Sequence, residues 1–267
     1  MSDRPDFAIK IDDVFESKGI HLPKPVLFLI NRFFHLDFLN EYFVKGYEGV
    51  EFCTKGLECL GIKLDVTGIE NIPDDGTLYT FVSNHPLGGI DGVALGSIVG
   101  THFGGKIRYI VNDFLMLMKG FAPICVPVNK VGGQSRNLPK LIDDAFNSDN
   151  QMILFPAGIC SRKIDGKIQD LPWTKAFISK SRQTGRSIVP VHFIAQNSKR
   201  FYRIANLQKK IGLKVNIAMA FLPDEMYRQR GQTFKVIIGK PIPSTFFDDS
   251  KSASQWAQWV REEVYKL

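Results

Sequence analysis

At 267 residues, with 44% hydrophobic and 23% charged side chains, the chain can bury a full core, which excludes a disordered protein. A mean hydropathy of -0.06 excludes a multi-span membrane protein, and no run of about 18 apolar residues marks a crossing helix. The net charge of +7 favours an anionic partner, but the 21 phenylalanines are not interleaved with Arg and Lys in a compact motif, which argues against a nucleic-acid reader.

The N-terminus, MSDRPDFAIKIDD, lacks the charged-then-apolar pattern of a signal peptide. From Pro25 to Val44, residues Val26, Leu29, Phe33, Leu36 and Phe43 recur at helical steps on one face. Asn31, Arg32, His35, Glu41 and Lys45 gather on the other. Leu27, Phe28 and Ile30 make the first turns apolar nearly all round. The pattern fits a helix packed on the core, or an interfacial helix lying among lipid headgroups.

From about Leu64 the texture changes to alternation. Strands are expected at Leu78–Val82, Ile107–Val111, Ile124–Val128, Met152–Phe155, Ile188–Phe193 and Phe234–Ile238. Helical patterns fall between several of them, notably Leu138–Phe146 and Trp173–Arg182, and a last helix carries Trp256, Trp259, Val260 and Val264 on one side. The expected architecture is a single α/β domain over residues 61–267, with a largely parallel or mixed central sheet flanked by helices. Residues 1–60 are read as an N-terminal helical, membrane-associating appendage. Cys53, Cys59, Cys125 and Cys160 form no CxxC pair and have no zinc spacing, so they are read as reduced, buried thiols. Cys160 is set apart because it lies in a candidate site loop.

The strand at Leu78–Val82 runs into Ser83-Asn84-His85-Pro86-Leu87-Gly88-Gly89-Ile90-Asp91. A histidine at a strand end, followed by Pro and a Gly pair, sits in a loop that exposes its imidazole, and such loops are where α/β folds keep their sites. Asp91 can accept the ring N–H, set the tautomer and raise basicity. A His so held can take a proton from an alcohol that attacks a carbonyl. Two decoys fail. Gly100 to Lys106 nearly spells a phosphate-binding loop, but Ile107 stands where Ser or Thr must be, and no Gly-x-Ser-x-Gly element is present. His21, His35, His102 and His192 have no motif around them.

The run Asn84 to Asp91 resembles the first motif of the lysophospholipid acyltransferase superfamily, whose His and Asp form a catalytic dyad. Leu154-Phe155-Pro156-Ala157-Gly158-Ile159-Cys160-Ser161-Arg162 is similar to its Phe-Pro-Glu-Gly motif. Asp170 to Phe177, and Ile188 to Phe193 with Asn197-Ser198 and Phe201-Tyr202, resemble stretches of the hemolysin-like branch that includes the ornithine-lipid O-acyltransferases. The resemblance covers roughly Leu64 to Pro243. Two departures stand out: five residues separate His85 from Asp91 where the family usually has four, and Ala157 replaces the usual Glu.

The resemblance implies an O-acyltransferase in which His85 and Asp91 are catalytic. It implies substrate contacts from Asn84, Gly88, Gly89, Phe155, Pro156, Gly158, Ser161 and Arg162. Lys130 sits where the family has a strand ending in Arg, and is either a phosphate-binding cation or a surface lysine. Backbone N–H groups near Gly88–Gly89 or Gly158 are candidate oxyanion donors. No metal or cofactor is implied. The acyl donor is acyl-CoA or an acyl carrier protein, and the acceptor is a lyso-lipid. The acceptor is expected to be a lyso-amino-acid lipid of the ornithine or glycine type, with lysophosphatidate as the alternative and a non-catalytic lipid-binding relative as a third reading. The implied place is the membrane surface, peripheral on the cytoplasmic face of a bacterial inner membrane.

Overall fold

In a computed structural model that describes residues 7–10, 12, 16, 19, 21–128, 137–212 and 217–267, a seven-stranded sheet organises the chain. In chain order the strands are β1 (Lys63–Thr67), β2 (Tyr79–Ser83), β3 (Ile107–Asn112), β4 (Cys125–Val128), β5 (Gln151–Leu154), β8 (Ser187–Ile194) and β9 (Thr233–Ile238). A separate hairpin pairs β6 (Arg162–Ile164) with β7 (Lys167–Gln169). Across the sheet the order is β1-β9-β8-β2-β5-β3-β4. The five strands from β8 to β4 run parallel, β9 reverses against β8, and β1 follows β9. The sheet is therefore mixed. All six expected strands are present, and β1 and the two hairpin strands, which were not among the expected ones, add to them.

β2 is central and buried on both faces, so it shows no polar alternation: Thr80 and Ser83 are as buried as Phe81 and Val82. Phe81 faces one core, with α3 (Gly49–Cys59) and α4 (Ile90–His102). Val82 faces the other, with α6 (Ala176–Thr184) and α9 (Ala253–Lys266), where Trp256, Val260 and Val264 are buried and Trp259 packs beside them. α5 (Leu138–Phe146) covers β4 and β5 through Phe146. α6 begins at Ala176 and not at Trp173, since Trp173 belongs to the preceding loop. α4 is apolar all round and lies deep in the fold. A Cβ at its Gly96 would stand 2.5 Å from Cys53 Sγ, and one at Gly100 would stand 2.4 Å from Val50, so glycine is what lets α3 pack so closely.

The N-terminal segment departs from expectation. The stretch read as one helix from Pro25 to Val44 is two, α1 (Lys24–Phe33) and α2 (Leu36–Phe43), broken at His35, whose φ of 52° is left-handed. The break rotates the supposed single face: Leu36 and Phe43 are buried, whereas no residue of α1 is. α3 also falls within residues 1–60, yet its Phe52, Cys53 and Leu57 pack in the main core with Phe81, so structurally it is part of the α/β body. Cys53 and Cys160 are buried as expected, but Cys59 is exposed because it lies on the outer side of the last turn of α3.

Arg186 clamps the end of the sheet opposite the His85 loop. Almost fully buried, it donates to the carbonyls of Phe146 (2.8 Å), Ser148 (2.6 Å), Asn150 (2.8 Å) and Tyr79 (3.3 Å), and burial brings its own pKa down to about 10. Arg186→Met leaves these acceptors without their donor. It is expected to cost about 3 kcal/mol or more, read as a fall in the urea midpoint at unchanged m. An unchanged midpoint would remove this role.

Candidate active site

The chain leaves β2 at its carboxyl end, between β8 and β5, where the connections depart in opposite directions. In open α/β sheets this switch point opens a crevice. Asn84 is buried here, and its amide is used at both ends. Nδ2 donates to the Phe193 carbonyl (2.9 Å), and Oδ1 accepts from the Phe193 N–H (2.8 Å). This two-way clasp ties the root of the loop to β8. Asn197 secures the next turn by donating from Nδ2 to the Pro86 carbonyl (3.1 Å).

His85 follows the clasp. Its Nδ1 lies 3.0 Å from Asp91 Oδ2, and that oxygen also accepts from the N–H groups of Leu87 (2.9 Å) and Gly88 (3.3 Å). The Gly92 N–H reaches Oδ1 at 3.0 Å. Asp91 is fully buried, and burial alone would raise its pKa. The His85 ring and the backbone donors outweigh that and hold the carboxyl below its usual range. An ionised carboxylate can only accept, so Nδ1 carries the hydrogen and Nε2 bears the basic lone pair. The five intervening residues do not prevent the contact. Gly88 takes φ 77°, a left-handed turn that absorbs the extra residue. The turn is also crowded: a Cβ at Gly88 would lie 2.9 Å from Leu222 and 3.1 Å from Cys160. Gly89 then caps α4, which begins at Ile90 and carries Asp91 in its first turn, where an anion is favoured.

The second motif wraps the same histidine. The Phe155 ring stacks on the imidazole with centroids 4.2 Å apart at 28°. Pro156 is buried, and its carbonyl accepts from the Thr174 N–H (3.0 Å) and Oγ1 (3.1 Å). Gly158, at φ 70°, closes a turn by donating to the Phe155 carbonyl (2.9 Å). Both the Gly158 and the Gly88 N–H groups thus hold the loops they lie in. Ser161 is buried, and its N–H donates to the His85 carbonyl (2.7 Å). Arg162 donates to the Cys160 carbonyl (2.6 Å) and lies 5.6 Å above the Phe201 ring, partly exposed beside the crevice. Burial pushes the Cys160 thiol up, which suits a packing role over a nucleophilic one. Lys130 lies outside the described residues.

Asp170 joins the two loops. The sequence placed it only at the head of a Trp-containing stretch. Its Oδ1 accepts from Ser161 Oγ (2.6 Å) and the His85 N–H (3.2 Å), and Oδ2 accepts from Trp173 Nε1 (2.9 Å). Burial raises its pKa, and these donors only partly offset that. The spacing of Asp170 and Trp173 was the one signal available, and it has no meaning until the loops are brought together. In Asp170→Asn one acceptor survives, but an amide NH₂ must face the Trp173 donor or the Ser161–His85 pair. The expected result is a loss of about 1–3 kcal/mol together with a kcat about 10-fold lower at similar KM, because the imidazole is no longer held in place. If kcat measured well below the unfolding transition stays at the wild-type level, Asp170 serves stability alone.

A backbone-tethered His–Asp pair at the head of a crevice, with Nε2 basic and an aromatic ring along one side, can accept a proton from a hydroxyl. The model of a family described as acyltransferase matches residues 11–267. The lyso-glycine lipid O-acyltransferase of Bacteroides thetaiotaomicron is 49% identical over 273 residues, covering 100% of both chains. That of Phocaeicola vulgatus is 47% identical, covering 100% of this chain and 98% of its own. The crystal structure of the 1-acyl-sn-glycerophosphate (LPA) acyltransferase PlsC from Thermotoga maritima superposes with a TM-score of 0.52 at 16% identity, over 95% of this chain and 86% of that one, a likeness of fold. This chain belongs to the acyltransferase family.

Proposed function

We propose that the protein moves a fatty acyl group from an acyl thioester to the hydroxyl of a lyso-amino-acid lipid, a lyso-glycine lipid in the first instance. The full-length identity to two lyso-glycine lipid O-acyltransferases carries the acceptor. The His85–Asp91 geometry supports the chemistry. Nε2 of His85 takes the hydroxyl proton as the acceptor oxygen bonds to the thioester carbonyl carbon. The tetrahedral oxyanion collapses, the carbon–sulfur bond breaks, and the proton passes from His85 to the departing thiolate. The products are the acylated lipid and a free thiol, with no covalent acyl-enzyme.

In this reading His85 and Asp91 are catalytic, and Asn84, Ser161 and Gly88 act by holding them. Phe155, Pro156, Gly158 and Gly89 shape the crevice, and Arg162 faces the polar part of a substrate. Ala157 packs in the second core, with no carboxylate at that position to order a headgroup site, which favours an amino-acid lipid over lysophosphatidate. The test offers labelled acyl carrier protein thioester and labelled acyl-CoA, separately, with lyso-glycine lipid, lyso-ornithine lipid and lysophosphatidate. Transfer to lyso-glycine lipid is expected. Transfer to lysophosphatidate alone would overturn the acceptor, and lipid binding without transfer from either donor would overturn the reaction.

The acceptor is an amphiphile, and α1 suits a place beside it. Phe28 and Leu29 are 64% and 63% exposed, and Lys24 and Arg32 stand at the two ends of the helix. No helix among the described residues is long and apolar enough to cross a membrane. The reading is a peripheral protein on the cytoplasmic face of a bacterial inner membrane, with α1 among the headgroups. Phe28→Glu/Leu29→Glu is expected to lower vesicle binding at least about 10-fold without unfolding the chain, as two aromatic or aliphatic side chains are worth several kcal/mol on burial. Unchanged sedimentation with vesicles would remove α1 from the interface.

A further inference from the structure

α7 (Lys199–Lys210) is held to the body by Phe201, Tyr202 and Ala205, which pack with Cys160 and Ala218. Its other side carries Arg203, Leu207 and Lys210 at helical steps, with Ile211 at the cap. Leu207 and Ile211 are 58% and 59% exposed. Single exposed aliphatics are ordinary. Here two lie one turn apart, flanked by cations, and Met219 is exposed in the adjoining turn Ile217–Phe221. Residues 199–220 contain six Lys or Arg and no Asp or Glu, so the segment favours an anionic surface.

Four contacts tie this surface to α1 and to the site. The Phe33 ring of α1 stands edge-on to Phe221 (5.1 Å, 88°), so α1 adjoins the turn that packs on α7. Asp224, in α8 (Leu222–Arg228), takes His35 Nε2 at 2.9 Å, and it also takes Arg200 from the first turn of α7. Leu222, next to Phe221, lies against Gly88 of the dyad loop. One run, Phe221 to Asp224, therefore touches α1, α7 and the catalytic loop.

We propose that α7 and the turn Ile217–Phe221 form a second membrane-contact element, seated on the anionic phospholipid headgroups of the leaflet beside α1, so that the dyad loop opens toward membrane-resident acceptor. The inference rests on the proposed reading that the acceptor is drawn from a membrane. A cationic rim with a small apolar centre matches an interfacial helix, in which the aliphatics enter the acyl boundary and the lysines meet phosphates.

The experiment sediments the full-length chain with vesicles of phosphatidylglycerol and phosphatidylcholine, and with phosphatidylcholine alone. The variants are Leu207→Ser/Ile211→Ser and Arg203→Glu/Lys210→Glu, all on the outer side of α7. Tighter binding to the anionic vesicles is expected, and each double variant is expected to lose about 10-fold in partitioning while keeping wild-type turnover on detergent-dispersed acceptor. The charge variant is also expected to lose most of the salt sensitivity of binding. If both variants bind as wild type does while Phe28→Glu/Leu29→Glu does not, α1 makes the contact and the α7 inference is overturned. If the charge variant instead raises the KM for acyl carrier protein thioester with vesicle binding intact, the surface docks an acidic protein and the inference is again overturned. A wild-type chain that binds neither vesicle defeats the membrane reading itself.

Discussion

Replacing His85 by alanine is expected to lower kcat/KM by about 100- to 10,000-fold, the range a positioned general base contributes. The ring is one-sixth exposed, and its deletion leaves the backbone ties of residue 85 to Asp170 and Ser161 in place. The fold should therefore survive, and far-UV circular dichroism with a urea curve serves as the check. In the proposed mechanism the base acts on the acceptor proton as the new bond forms, so the loss belongs in kcat more than in acceptor KM. Activity within a few-fold of wild type would mean that another group deprotonates the hydroxyl. A loss confined to KM would make His85 a binding residue.

Asp91→Asn is expected to match it, at about 1,000- to 10,000-fold in kcat, through the tautomer. Four donors converge on the carboxylate, from His85, Leu87, Gly88 and Gly92. An asparagine must turn its NH₂ toward one of them. If it faces the ring, Nδ1 becomes the acceptor, the hydrogen moves to Nε2, and the atom aimed at substrate is no longer basic. The same substitution has a signature in stability. The folded pKa of Asp91 lies below its unfolded value of about 4. Its contribution is therefore fully present above that pH and is lost as pH falls through the depressed folded value. The stability gap between wild type and Asp91→Asn should be wide at neutral pH and close in acid. Asp170 has the opposite sign: its pKa is raised, so its contribution is present below about pH 4 and is lost as pH rises through the folded value. Two buried carboxylates on either side of one histidine differ because only Asp91 has the imidazole as its direct partner, while Asp170 is met by neutral N–H and O–H donors.

The sequence by itself determined the sheet strands with strong local patterns, the place of the candidate dyad in the loop after β2, and the family. A continuous apolar run bounded by turn residues can only be a doubly buried strand or a buried helix segment, and the flanking Gly and Pro decide between them. β2, β5 and β8 were legible for that reason. The motif loops were legible because a His, a Gly pair and an Asp within one stretch are local in sequence. Tertiary structure decided the remainder. β1 alternates polar and apolar residues from Lys63 to Thr67, a local strand signal, but its parallel pairing with β9 across 170 residues, Lys63 with Thr233, is settled only by the closed sheet. α1 and α2 had one helical period running through both, and only the ring of His35, taken by Asp224 and stacked on Tyr227, shows where the chain turns. The extra residue before Asp91 was a departure from family spacing until Gly88 placed it in a left-handed turn against Leu222. Asp170 lies 85 residues from His85 and acquires a role only when the sheet brings their loops together. Local propensity and motif chemistry are written in neighbouring residues, whereas register, loop convergence and the burial of a carboxylate depend on contacts that exist only once the chain has closed on itself.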